Sequence, residues 1–375
     1  MRRAIRAFIL AAVLATSLAS IASAQQATPA ATPAAAVTGA ALKTTPTGKG
    51  LPVVVRTGLH VAEVESVDEQ AGAFTGAVDL RLRWEDSRLR FPPTEALGGF
   101  IDLRGERAEA RLTEIWAPDV ALANMIEQPA YQVRRLRIYP DGRVELMQRT
   151  TGRFKTSFDV QKFPFDRQEL TIDVVERREP LHRMALDFRQ DDIEFSRLAD
   201  GVTIDGWQPG LLHLRRAPLP GWYGEAQSRL RASLEVTRYP ARTIPSIFLP
   251  LIAAMLIPLL SLWLQRVQDG EIQIETFELS NIIIGGMFAV IALNFTISSS
   301  YPTLVDSDNT VTRLLGLNYL CLAISLVINI AVFRFNLIGR YFGKHVLVQV
   351  FRFLTWAMPV VVLATAAAII LVAMA

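Results

Sequence analysis

Val78-Asp79-Leu80-Arg81-Leu82-Arg83-Trp84 alternates apolar and charged residues, the pattern of a strand with one face in a core and the other in water. Outward from it, similar short segments are separated by recurrent turn signals: Pro92-Pro93, Pro140-Asp141-Gly142, Asp200-Gly201 and Pro220-Gly221. About ten such strands fit between Leu51 and Ile244, and no long amphipathic helices separate them. An antiparallel, immunoglobulin-like sandwich is therefore expected over 51–244, not a series of βαβ units. Past Ile244 the composition changes abruptly, with apolar runs from Ile247 to Leu264, Ile282 to Ile297, Leu314 to Phe333 and Phe353 to Ala375. These predict a four-helix transmembrane domain over 245–375, with spans near 247–264, 278–299, 312–333 and 353–375.

The whole-chain composition agrees. Of 375 residues 51% are hydrophobic, and the mean hydropathy of +0.27 exceeds what a soluble globular chain needs. The 39 Lys+Arg nearly balance the 36 Asp+Glu, so nothing marks a nucleic acid as partner. One cysteine, Cys321, excludes an intrachain disulfide and a cysteine-cluster metal site, and four scattered histidines argue against a histidine-rich centre. No cofactor is expected.

At the start, Arg2, Arg3 and Arg6 precede an apolar run from Ala7 to Ile21 and the small residues Ala22-Ser23-Ala24. This reads as a signal peptide over 1–24. Residues 25–50, rich in Ala, Thr and Pro, bury too little surface to offset their ordering entropy and read as a flexible linker. A secreted sandwich followed by four spans leaves both ends of the mature chain outside and puts 265–275 and 334–352 in the cytoplasm. The second of these loops carries Arg334, Arg340, Lys344 and Arg352 and no acid, as the positive-inside rule expects.

The second span is distinctive. Steps of three or four residues from Glu278 give Asn281, Gly285, Phe288, Ala292, Phe295 and Ser299, one helical face that is acid and amide at one end, apolar in the middle and hydroxyl at the other. An acid near a bilayer interior is costly unless it meets water or a partner. In a ring of copies, Glu278 would favour cations, and the two phenylalanines would gate by dewetting. Read alone, the stripe suits a pore wall and a bundle core equally, since an acid at a helix start also gains from the helix dipole. Gly285-Gly286 is unusual there, at about 1 kcal/mol per glycine in helix propensity.

Several segments, in order, resemble the pentameric ligand-gated ion channels, the Cys-loop receptor superfamily, and in particular its bacterial members. Val67-Asp68-Glu69-Gln70 through Trp84-Glu85-Asp86-Ser87-Arg88-Leu89 is similar to the first hairpin with its W-x-D-x-R-L signature. Ile115-Trp116-Ala117-Pro118-Asp119 is similar to the W-x-P-D segment. Phe158-Asp159-Val160-Gln161-Lys162-Phe163-Pro164-Phe165-Asp166-Arg167-Gln168 resembles the signature loop. Its closing cysteines would fall at Thr156 and Leu170, so the disulfide is missing, as in bacterial relatives. Arg238-Tyr239 and Ile244-Pro245-Ser246-Ile247-Phe248-Leu249-Pro250 resemble the entry to the first span, and Tyr301-Pro302 the loop after the second.

The resemblance implies a homopentamer in the bacterial inner membrane, sandwich and C-terminus periplasmic, whose second span lines a pore for monovalent cations. It implies that agonist binding between sandwiches shifts the boundary loops: Asp68 to Ala73 with Glu69, Phe163-Pro164-Phe165-Asp166, and the loop at Pro302. In the family an arginine before the first span pairs with acids on those loops, and the matching positions are Arg238 with Asp68 and Asp166. The agonist box is thinly matched. Trp222 and Tyr223 occupy the capping loop and suit an amine, while Asp79, Glu176, Arg177 and Arg178 stand where aromatics are common and suit a zwitterion or a carboxylate. Asp191, Asp192 and Glu194 offer carboxylate oxygens for Ca²⁺ modulation, and His60, His182 and His213 offer proton sensitivity. No nucleophile elbow, phosphate loop or dinucleotide fingerprint points to an enzyme.

Overall fold

The computed structural model describes residues 42–96, 98–221, 223–263, 266–268, 271–273, 276–305 and 307–374. The expected signal peptide and the first part of the linker lie outside them.

The sandwich is built from β1 (Val53–Asp68), β2 (Ala73–Glu85), β3 (Ile101–Arg104), β4 (Val120–Leu122), β5 (Tyr131–Ile138), β6 (Arg143–Lys155), β7 (Arg167–Pro180), β8 (Met184–Asp187), β9 (Trp207–Arg216), β10 (Leu219–Pro220) and β11 (Ala226–Arg238), with short helices α1 (Glu106–Glu114) and α2 (Gln190–Phe195). One sheet has the order β3-β5-β6-β2-β1-β8, and the other β10-β11-β7-β4 with β9 on β11. The pairing is antiparallel throughout except for β1 with β8. The alternation in β2 lands as its pattern predicts. Val78, Leu80, Leu82 and Trp84 are buried between the sheets, where Trp84 meets Trp116 edge to face at 6.1 Å and Phe74 stacks on Phe154 at 5.2 Å. The turn at Asp141-Gly142 requires its glycine: φ is +84°, and a Cβ there would lie 2.6 Å from the Asp86 carbonyl oxygen.

Where the cysteines of the signature loop are missing, the Thr156 hydroxyl donates to the Glu169 carbonyl at 2.8 Å, and Leu170 is buried in the core. A hydrogen bond and an apolar contact hold the loop's neck closed.

Two expectations need correction. Residues 42–50 were expected to be flexible but are tied to the sandwich: the Trp116 N–H donates to the Leu42 carbonyl at 2.7 Å, Arg88 reaches the Thr44 carbonyl at 2.8 Å, and the Thr45 hydroxyl reaches Glu179 at 3.1 Å. Backbone and side-chain donors supply here what the small residues lack in apolar surface. The last helix starts at Lys344, not near 353, because Phe351 finds a buried contact with Val332.

The membrane domain comprises α3 (Leu249–Trp263), α4 (Thr276–Ser300), α5 (Thr310–Ile328) and α6 (Lys344–Met374). The corresponding candidate spans are Ile244–Trp263, Ser280–Ser300, Thr310–Val332 and Lys344–Met374. The 25 residues of α4 extend about 37 Å, enough to cross a bilayer core. Leu251, Met255, Ile283, Val290, Leu314, Leu322, Met358 and Val362 form the shared core. The two mid-helix glycines separate in role. A Cβ on Gly286 would lie 3.0 Å from Ile257 and from Leu322, so this glycine lets α4 pack closely on α3 and α5, whereas Gly285 faces open space.

Candidate coupling junction and pore face

At about 100° per residue, the buried residues Ile283, Gly286, Val290 and Ile297 define one side of α4. Asn281, Gly285, Phe288, Ala292, Phe295 and Ser299 lie roughly 160° away, and all six are exposed in the single chain, Phe288 at 68% and Phe295 at 75%. Helix packing within one subunit therefore uses the side opposite the stripe. Glu278 lies in the first turn of α4, and its side chain is outside the described residues.

Where the sandwich meets the helices, the end of β11 delivers Arg238 into a cage. Its Nε donates to Asp166 Oδ1 at 2.7 Å and its Nη2 to Oδ2 at 3.0 Å. A second fork reaches Glu69 at 2.7 and 2.8 Å. Trp207 lies 4.1 Å and Phe163 4.8 Å from the guanidinium carbon. Arg238 is 7% exposed and Asp166 1%. Burial works against the guanidinium charge, but the bonds it donates to Glu69 and Asp166 outweigh that and hold its pKa above the ordinary value. Gln168 donates to Asp166 Oδ2 at 2.6 Å, so the deeper carboxylate is fully engaged.

Phe163, followed by a cis bond to Pro164, joins this cage to the membrane core. It is fully buried, packs with the helix cluster and meets the Tyr301 ring at 6.4 Å, just before the turn that starts at Pro302. Burying such a ring is worth about 2–3 kcal/mol, spent here on a contact between two domains.

The expected Arg238–Asp68 pair is corrected. Asp68 instead binds Arg153 at 2.7 Å and accepts the Ala71 N–H at 2.9 Å, while its neighbour Glu69 takes Arg238. Adjacent residues leave the end of β1 in opposite directions, and that local parity decides the pairing. Trp207 was missed altogether, because nothing in Gly206-Trp207-Gln208 distinguishes a cage wall from a core residue.

The residues expected at a ligand site are dispersed. Asp79 is held by Arg149, its cross-strand partner, at 2.6 and 2.7 Å. The Arg177 N–H donates to the Asp119 carbonyl at 2.9 Å, and Arg178 lies 3.7 Å from the Asp119 carboxylate. Tyr223 is 93% exposed, and Trp222 lies outside the described residues. Glu176 does not line an open pocket. It is 1% exposed, and burial pushes its pKa up to about 7 against the downward pull of the Arg178 and Glu179 N–H groups. The acids considered for Ca²⁺ are also reassigned. Asp192 is fully buried under Arg81 at 3.0 Å, Arg83 at 2.5 Å and Arg56 at 3.8 Å, and Asp191 binds Arg83 at 2.5 Å. Glu194 faces solvent beside Gln190. Three guanidiniums occupy the oxygens a cation would need, and among the described residues no cluster of three or more metal-ligating side chains occurs.

A two-sheet domain thus meets a bundle of four apolar helices through Phe163, with the Arg238 cage directly behind that contact. The profile of the neurotransmitter-gated ion-channel ligand binding domain matches residues 42–217. The chain is 25% identical over 255 residues to the proton-gated ion channel of Gloeobacter violaceus, covering 67% of this chain and 65% of that one. It is 24% identical over 250 residues to the mouse gamma-aminobutyric acid receptor subunit theta, 65% of this chain and 37% of that subunit. It is 27% identical over 158 residues to the mouse neuronal acetylcholine receptor subunit alpha-4, 41% and 24% respectively. The match thus spans less than two thirds of each relative. These likenesses support a place for the chain among the ligand-gated ion channels of the Cys-loop superfamily.

Proposed function

We propose that five copies of this chain form a ligand-gated, cation-selective channel of the bacterial inner membrane, with the sandwich in the periplasm and a pore lined by α4. The observation that carries the reading is the exposed stripe of α4, set opposite its packed face. A helix whose packed face is turned to α3 and α5 leaves the stripe to line a common axis, with Phe288 and Phe295 as constrictions and Glu278 at the mouth. Ligand or proton binding in the sandwich would be transmitted through Arg238 and Phe163 to the Tyr301-Pro302 turn, a two-state link biased from one side. The name of the Gloeobacter relative makes protons a gating agent to test first, and a small amine, zwitterion or carboxylate at subunit interfaces the next.

The test is current recording in planar bilayers or oocytes during a pH and ligand screen. Monovalent cation current is expected, Glu278→Gln shifting the reversal potential away from the cation equilibrium value and Phe288→Ala favouring opening. A monomer in native mass measurement, or unchanged selectivity in Glu278→Gln, would remove the pore assignment.

A further inference from the structure

Glu176 is a buried acid with half its oxygens unused. Its Oε1 accepts the N–H groups of Arg178 at 3.0 Å and Glu179 at 3.1 Å. Its Oε2 is buried with no hydrogen-bond partner, and a buried, unpaired carboxylate oxygen is among the costliest arrangements a fold tolerates. The nearest charges oppose one another at Glu176, Arg178 favouring its ionised form less than Asp119 disfavours it. From β4 and the segment before it comes Asp119, a like charge that raises the pKa of Glu176 further, and the Val120 backbone is paired directly with Glu176. On β7 itself Arg178 is drawn toward Asp119, while Glu179 is taken by Thr45 and by Arg183 at 3.2 Å. On β11 Arg229 binds the Ala217 carbonyl at 2.6 Å and Asp173 at 3.5 Å. Lys43 lines the same cleft as Asp119 and Arg178.

We propose that Glu176 is a proton-operated latch: neutral while the β4–β7 junction is closed, and charged when that junction loosens. Protonation removes the uncompensated charge facing Asp119 and leaves Oε1 free to keep bracing the 176–179 turn. Loss of the proton puts two carboxylates at one strand pairing and favours water entry at Oε2. The strap at 42–50 is fastened to the same place through Thr45 and Glu179, so loosening reaches it as well. Proton uptake by Glu176 stands independently of conduction; its connection to gating rests on the channel reading.

The test is amide hydrogen exchange on the full pentamer or chain in detergent between pH 5 and 8, corrected for the intrinsic pH dependence of exchange. Amides 177–179 and 120–122 are expected to exchange on the order of tenfold more slowly at pH 5 than at pH 8, with a midpoint near 7. Glu176→Gln, a neutral isostere, is expected to stay protected across the range, and Glu225→Gln, on the capping loop, to keep the wild-type midpoint. A protonated-carboxyl infrared band at pH 5, absent from Glu176→Gln, gives a readout that does not depend on loop motion. Flat exchange together with no such band overturns the proposal, as does an unchanged midpoint in Glu176→Gln. A wild-type switch without proton-dependent current would sink proton gating and leave the latch standing.

Discussion

The arginine cage makes a quantitative prediction because its two arms differ in depth. Asp166 is 1% exposed, whereas the Glu69 side chain is 21% exposed. Replacing Asp166 by Asn leaves a guanidinium at 7% exposure with only the shallower carboxylate, and breaking a buried pair in this way costs about 3–5 kcal/mol. Replacing Glu69 by Gln removes a fork that water partly replaces, at about 1 kcal/mol. For a domain of this size about 1 kcal/mol moves the melting temperature roughly 2–4 °C, so Asp166→Asn should lower it by on the order of 10 °C and Glu69→Gln by only a few degrees. Trp207, 4.1 Å from the guanidinium carbon, is a local reporter whose fluorescence should change in both variants. Thermal unfolding of the purified chain, completed as a double-mutant cycle with Arg238→Gln, measures each arm. Equal losses for the two acids, or a coupling to Asp166 below about 1 kcal/mol, would refute the argument that burial decides which arm holds the arginine in place.

Gly286→Ala must displace Ile257 and Leu322 and should cost about 1–3 kcal/mol, while Gly285→Ala, with nothing within 4 Å, should be neutral or gain up to about 1 kcal/mol of helix propensity; melting curves of the two variants separate packing from propensity. Asp192→Asn leaves three guanidiniums around a neutral side chain and should destabilise by about 3–5 kcal/mol, with no dependence on added Ca²⁺, and a Ca²⁺-dependent melting shift in the wild type would contradict the arginine assignment. Stability should also rise on acidification from pH 8 to 5. Glu176 has a folded pKa of about 7 against an ordinary 4.5, so its contribution is fully present below 4.5 and is lost as pH climbs to about 7. The rise is worth at most about 3 kcal/mol, and about 2 kcal/mol allowing for partial water access; it should vanish in Glu176→Gln. Asp102, whose carboxyl the Arg135 guanidinium holds well below the usual range, works in the opposite sense only at more acidic pH.

The fold was legible because two periodicities never mix in this chain. Val78 to Trp84 repeats every second residue and lands in the sandwich, and the apolar runs after Ile244 are long enough to leave only helices as a solution. The exposed stripe of α4 was legible for a related reason: a face defined by steps of three and four can be drawn from sequence, and whether it packs inside its own subunit depends on small residues such as Gly286, whose role appears only when Ile257 and Leu322 stand against it. Charge pairing was not legible to the same degree. Asp68 and Glu69 are adjacent acids of equal chemical merit, and the one that receives Arg238 is chosen by which side of a hairpin end each leaves, a matter of one residue in register. The same holds for Asp191 and Asp192, acids that look like cation ligands until three arginines from β1 and β2 converge on them. Sequence shows how many charges a segment holds, whereas which of them are left over after pairing is decided by the fold. Arg238 is caged and Asp192 is neutralised, and Glu176 alone among these buried acids keeps an oxygen with no partner. That surplus is where a proton can change the balance of the domain, because every other buried charge named here already has its counter-charge in place.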